Sequence, residues 1–155
     1  MGETVPWLTP EEQHAWRTFL RLQRRLEARL SRLLQAESKM SIADFVVLVN
    51  LTDVPDGRKR ILDLARALEW EKSRMSHHIA RMAKRGTVAR DECAEDGRGA
   101  FVVITEAGRA AIEAAAPRHV AAVRAVFLDH VTQAELRTLA QISERVVCRL
   151  DEGAS

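Results

Sequence analysis

Ile61-Leu62-Asp63-Leu64-Ala65-Arg66-Ala67-Leu68 is followed four residues later by Lys72-Ser73-Arg74-Met75-Ser76-His77-His78-Ile79-Ala80-Arg81-Met82-Ala83-Lys84-Arg85-Gly86, and these two stretches decide the fold. The first places Ile61, Leu64, Ala65 and Leu68 on one side of a short amphipathic helix. The second ends at Gly86, the residue type expected just past a helix C-terminus. At 100° per residue, Met75, Ile79 and Met82 fall within about 60° of one another, while Ser73, His77, Arg81 and Lys84 lie roughly opposite, with Arg74 and Arg85 beside them. Two short helices joined by a tight turn predict a helix-turn-helix.

Downstream, segments 87–93 and 100–105 read as two strands joined by the polar loop Ala94-Glu95-Asp96-Gly97-Arg98-Gly99. A hairpin directly after a helix pair suits a wing. Arg98 at its tip is placed to enter a minor groove, with Asp96, Gly97 and Gly99 supporting the turn. By itself the loop would be a plain Asp-Gly turn with an exposed arginine.

Long helices are expected on both sides of this centre. Thr9-Pro10-Glu11-Glu12 has the cap, proline and acid order of a helix start, and Trp16 to Leu34 form an apolar stripe with arginines on much of the other face. Ser41-Ile42-Ala43-Asp44 signals a second start, although Phe45-Val46-Val47-Leu48-Val49 alone would also fit a buried strand. Pro55-Asp56-Gly57 marks a turn. Thr105 caps an alanine-rich helix from Glu106, in which Pro117 predicts a kink or break. Thr132-Gln133-Ala134-Glu135 is a capping box for a last helix carrying Leu136, Leu139, Ile142, Val146, Val147 and Leu150. The expected fold class is mainly α with a small β wing: one domain over 1–155, a winged lobe at 41–105 and dimerisation helices at 10–36 and 106–151.

Charge points the same way. The chain of 155 residues carries +2 overall, yet residues 58–90 hold ten basic side chains against three acidic ones, so this segment is +7 and the remainder −5. A basic centre between acidic arms is the footprint of a domain that meets a polyanion on one face, as well as of a solvated basic helix. Apolar residues make up 46% of the chain, enough for one ordinary core. The run from Phe45 to Leu51 is far short of the ~20 residues that cross a bilayer, so no membrane partner is expected. Cys93 and Cys148 are distant in sequence and form no C-x-x-C, which suggests a reducing, cytoplasmic setting.

In order and spacing, Leu64-Ala65-Arg66-Ala67-Leu68, Ser73 to Met82, Arg85-Gly86, Asp96-Gly97-Arg98-Gly99 and Ile104-Thr105-Glu106-Ala107-Gly108-Arg109 resemble a MarR-family regulator over nearly the whole chain. The resemblance implies a homodimer with intertwined end helices, winged lobes on successive major grooves of a pseudo-palindromic double-stranded DNA operator, and often a small-molecule effector. Repression is the commoner outcome in the family. The residues expected at DNA are Lys72, Ser73, Arg74, Ser76, His77, His78, Arg81, Lys84, Arg85 and Arg98. Two positions depart from the pattern. Glu69-Trp70-Glu71 lacks the glycine often found in that turn, so burial of Trp70 is expected to hold it, and Thr87 stands where a larger apolar residue is usual.

Other readings fit the same residues. The basic face could meet an acidic protein partner in a winged-helix interaction module. Cys93 reads as a small strand residue and Cys148 as a core or interface filler, while His14, His119 and His130 read as surface or capping groups. Trp16 fits a core position, with an effector pocket near Trp16, His14 and His119 as the other possibility that family geometry suggests. Effector-binding residues are otherwise unknown, and no metal or cofactor is expected. Paired catalytic carboxylates, a nucleophile triad and a phosphate-cradling loop are missing from the pattern, so no enzyme is expected.

Overall fold

The computed structural model describes residues 5–91 and 99–153. The helix starts follow their local chemistry. Helix α1 (Pro10–Ser38) begins with a reciprocal capping box: Glu12 N–H donates to Thr9 Oγ1 at 3.2 Å, and Thr9 N–H donates to Glu12 Oε2 at 2.8 Å. Helix α2 (Ile42–Thr52) starts where Asp44 N–H donates to Ser41 Oγ at 3.0 Å. The β-branched run is therefore helical, with Phe45, Val47, Leu48 and Leu51 buried.

Strand β1 (Arg58–Arg60), helix α3 (Ile61–Ala67) and helix α4 (Lys72–Lys84) come next, then strands β2 (Val88–Asp91) and β3 (Phe101–Ile104). The sheet order is β1-β3-β2, antiparallel throughout, with Arg60 opposite Phe101 and Val88 opposite Ile104. β1 is a third strand beyond the expected hairpin. Its charged triplet has no apolar alternation, and it forms because β3 offers a ladder edge. Arg58 is anchored there by an ion pair to Asp91 at 2.8 Å and by stacking 3.9 Å above the Phe101 ring.

The first turn of helix α5 (Glu106–Val126) is tied to the end of α4. Thr105 Oγ1 accepts from Gly108 N–H at 3.1 Å and donates to the Gly86 carbonyl at 2.6 Å. Gly108 is required here, because a Cβ would lie 2.1 Å from the Thr87 carbonyl oxygen. Thr87 spends its hydroxyl on the Met82 carbonyl, and the inward place on the first wing strand falls to buried Val88. α5 continues through Pro117 without the break the proline suggested. A 3₁₀ turn (Leu128–His130) and helix α6 (Gln133–Glu152) complete the chain, with the Thr132–Glu135 capping box as expected.

The chain divides between His119 and Val120 into two compact units. In the first, one core joins Leu34 of α1, the buried face of α2, Ile61, Leu64 and Ala65 of α3, Met75, Ile79 and Met82 of α4, the sheet residues Val88, Val102 and Ile104, and Ile112 and Ala115 of α5. In the second, α6 buries no residue, and Leu139, Ile142, Val146, Val147 and Leu150 are exposed. Trp16 is also exposed, leaning on Phe19 at 6.0 Å, and so is not the core residue that its stripe suggested. Cys148 is exposed in this chain and fills no core; Cys93 lies outside the described residues.

Both short helices end in the same way, with different residues. After α4, Gly86 takes φ +85°, its N–H donates to the Ala83 carbonyl, and Thr87 N–H reaches the Met82 carbonyl. After α3, Glu69 adopts φ +53°, its N–H donates to the Arg66 carbonyl, and Trp70 N–H reaches the Ala65 carbonyl. The helix-turn-helix corner thus uses a left-handed residue after all, a glutamate that carries the steric cost a glycine would avoid. That cost is about 1–2 kcal/mol, partly offset by the backbone entropy a glycine would lose. Glu69→Gly is therefore expected to raise the melting temperature by about 1–4 °C, and Gly86→Ala to lower it. Thermal melts followed by circular dichroism check both signs.

Candidate nucleic-acid interface

Burial of Met75, Ile79 and Met82, each at 0% exposure, fixes the roll of α4 about its axis. Lys72, Ser73, Arg74, His77, Ala80, Arg81, Lys84 and Arg85 are consequently exposed, and Ser76 is half-buried. The outward row is a set of hydrogen-bond donors spaced at helical steps, with small Ala80 among them to permit close approach. No side chain caps the N-terminus of α4, which leaves its first amides to other acceptors. Arg74 is held 4.1 Å above the Trp70 ring. Between the start of α4 and the root of the wing is a groove of about 250 Å³ lined by Lys72, Ser76 and Arg90, with Ile61, Leu62, Gly99 and Ala100.

Two of the expected DNA contacts meet Asp44 of α2. His78 is buried at 7% exposure and does not share the outward face. Its Nε2 lies 2.9 Å from Asp44 Oδ1, off the line of a ring N–H bond. Arg85 donates to the same Oδ1 at 2.8 Å, so its guanidinium ties the end of α4 to α2 while remaining half-exposed. Of the wing-tip residues, Asp96, Gly97 and Arg98 lie outside the described residues, and Gly99 is exposed with φ +93°. Arg90 was missing from the expected contacts. Its only sequence signal was membership of the basic 58–90 segment, because its place beside Lys72 depends on the strand pairing.

A family model described as a winged helix DNA-binding domain matches residues 40–108. AbsC, a MarR family transcriptional regulator from Streptomyces coelicolor, is 38% identical, with 96% of this chain and 99% of that one covered at a TM-score of 0.90. Sco3205, a MarR family regulator from the same organism solved in complex with DNA, is 36% identical, with 94% and 91% covered at a TM-score of 0.88. This chain belongs to the MarR family of transcriptional regulators. The MarR fold extends to CouR from Rhodococcus jostii RHA1, solved bound to p-coumaroyl-CoA, at 17% identity, 83% and 88% coverage and a TM-score of 0.71. A comparison with curated protein sequences finds no match.

The regulator's other candidate groups are dispersed. The groove at His14 is lined by Arg17, Thr18, Leu20, Arg21 and Arg24 of α1, without Trp16 or His119. His119 instead packs on Phe45, ring centres 4.4 Å apart. His130 Nε2–H donates to the Ala125 carbonyl at 3.0 Å, a capping role. Among the described residues, no group of three or more His, Cys, Asp and Glu side chains is placed to hold a metal, and no helix is long and apolar enough to cross a membrane.

Burial pushes the pKa of both His78 and His119 below the ordinary histidine value, with Arg81 and Arg85 adding to the effect at His78 and Asp44 opposing it. The unfolded chain then takes up protons first as the pH falls. Stability from these two groups is complete above about pH 6.5 and declines as the pH drops from there toward their folded values. Glu12 and Glu135, lowered by their capping-box bonds, act in a separate window below pH 4.5. Melting temperatures across pH 5 to 7.5 are expected to fall on the acid side, and His119→Leu to remove part of that slope.

Proposed function

We propose that this MarR-family regulator binds a specific pseudo-palindromic duplex as a homodimer, represses transcription there, and is released by a small-molecule effector. The observation that carries DNA readout is the opposition of faces on α4: three fully buried apolar side chains behind, and Ser73, His77, Arg81 and Lys84 exposed in front. In this reading the first turns of α4 enter the major groove. Arg81 pairs with a base edge, and Lys72, Arg74, Lys84 and Arg90 face phosphates. Arg98, expected at the wing tip from sequence alone, serves the adjacent minor groove.

Homodimerisation is supported by the apolar surface of the two end helices. Trp16, Phe19 and Leu22 on α1, and Leu139, Ile142, Val146 and Leu150 on α6, are exposed, and a monomer rarely leaves such stripes in water. Repression and effector release rest on family membership. Solved relatives hold small ligands, as CouR does with p-coumaroyl-CoA.

Selection of duplexes from a random pool is expected to return a palindrome with half-sites about one helical turn apart. On that duplex Arg81→Ala should cost about 1–3 kcal/mol and relax one base position, whereas Lys84→Ala should weaken all sequences alike and flatten the salt dependence. Absence of duplex binding at low salt would refute the reading. Sedimentation should give a dimer that Val146→Glu disrupts.

A further inference from the structure

The part-buried contact at the edge of the outward face of α4 has a direction. Arg81 Nη2 lies 3.2 Å from His78 Nδ1, and a guanidinium nitrogen is only ever a donor. Nδ1 must therefore present its lone pair to Arg81, which puts the single imidazole proton on Nε2, 2.9 Å from Asp44 Oδ1 but off the line of a direct bond, so Asp44 acts on the ring through its charge. The ring is fixed in this pose by Trp70, T-shaped against it at 5.4 Å, while Arg74 covers the Trp70 face. Asp44 is in turn held by Arg85, which donates to the same oxygen. Among the described residues, the charged and titratable groups that face His78 are thus Asp44 from α2, Arg81 from α4 and Arg85 from the cap that ends α4.

We propose that Asp44, neutral His78 and Arg81 form a relay in which His78 is the positioning residue for Arg81, holding its guanidinium ready to read a base. This rests on the DNA-reading role given to Arg81 above. A second proton on His78 must go to Nδ1, where it removes the acceptor and sets an N–H and a positive charge against Arg81. Arg81 is then released from its docked pose while the apolar face of α4 stays buried. The relay makes base discrimination, more than overall affinity, sensitive to acid. His77 is exposed on the outward face of the same helix. Burial of His78, with Arg81 and Arg85 beside it, keeps the ring neutral at neutral pH.

Two measurements test the relay. Nitrogen NMR of the imidazoles in the free protein at about pH 7.5 is expected to show His78 neutral, with its proton on Nε2; a proton on Nδ1 overturns the proposal without reference to DNA. On the selected duplex, discrimination at the base pair that loses specificity in Arg81→Ala should fall about tenfold between roughly pH 7.5 and pH 5.5 in the wild type. His78→Asn, whose side-chain oxygen takes the place of Nδ1 but cannot titrate, should keep discrimination at both pH values. His78→Gln, which reaches Asp44 but offers Arg81 no such acceptor, should be low at both. Identical pH profiles for wild type and His78→Asn overturn the relay while leaving the DNA reading intact. No duplex bound at any pH, or full discrimination in Arg81→Ala, removes the DNA reading of Arg81 and the relay with it.

Discussion

The buried edge of α4 is the constraint on which the rest depends. Met75, Ile79 and Met82 have no exposure, and burying side chains of this size is worth about 1.5–3 kcal/mol each. The Arg85–Asp44 pair, whose guanidinium is half-exposed and screened by solvent, contributes about 1 kcal/mol. Packing therefore sets the roll of the helix, and the ion contacts only trim it. Once the roll is set, the outward donors follow from helical geometry alone. The two ends of α4 then decide where the neighbours go: the left-handed Glu69 turns the chain from α3 into α4, and Gly86 sends it into the wing.

That junction also explains how the small sheet and α5 are positioned. Thr105 bonds to Gly86 on one side and caps α5 on the other, and Gly108 allows the first turn of α5 to approach the Thr87 carbonyl. A motion at the end of α4 is thus felt at the start of the long helix through two hydrogen bonds and one close backbone contact. α1 is tied in as well: its Leu34 is buried in the lobe's core, and the Arg118 guanidinium of α5 donates to the Glu37 carbonyl.

Features set within a few residues were legible in the sequence. Caps at Thr9, Ser41, Thr105 and Thr132 are local chemistry, and the stripe Met75, Ile79, Met82 is local periodicity. Features that needed a distant partner were not. β1 is three cations with no alternation, paired only because β3 lies alongside. His78 borders the apolar edge of α4 on a helical wheel, and its burial beside Asp44 of α2 and the Trp70 ring depends on neighbours from outside the helix. Glu69 adopts a glycine's conformation because the helices on both sides demand it. Trp16 belonged to a correctly placed stripe, but a stripe does not say whether its cover comes from the same chain.

The same distinction bears on charge. Ten cations in 58–90 read from the sequence as one polyanion footprint, yet the structure divides them by duty. Arg58 is paired with Asp91 and stacked on Phe101, and Arg85 is paired with Asp44; both acids lie outside the counted segment. Arg66 stands near Asp63 at 3.9 Å, a weak exposed pair. Counterion release on DNA scales with the phosphates that protein cations neutralise, so a cation already matched to a carboxylate contributes less than a solvated one. The basic centre therefore overstates the electrostatic contribution, and sequence selectivity rests on how rigidly a few exposed groups of α4 are held. Rigidity is where this lobe invests its buried polar chemistry. Asp44, in contact with both His78 and Arg85, braces the reading helix from behind without occupying its outward face.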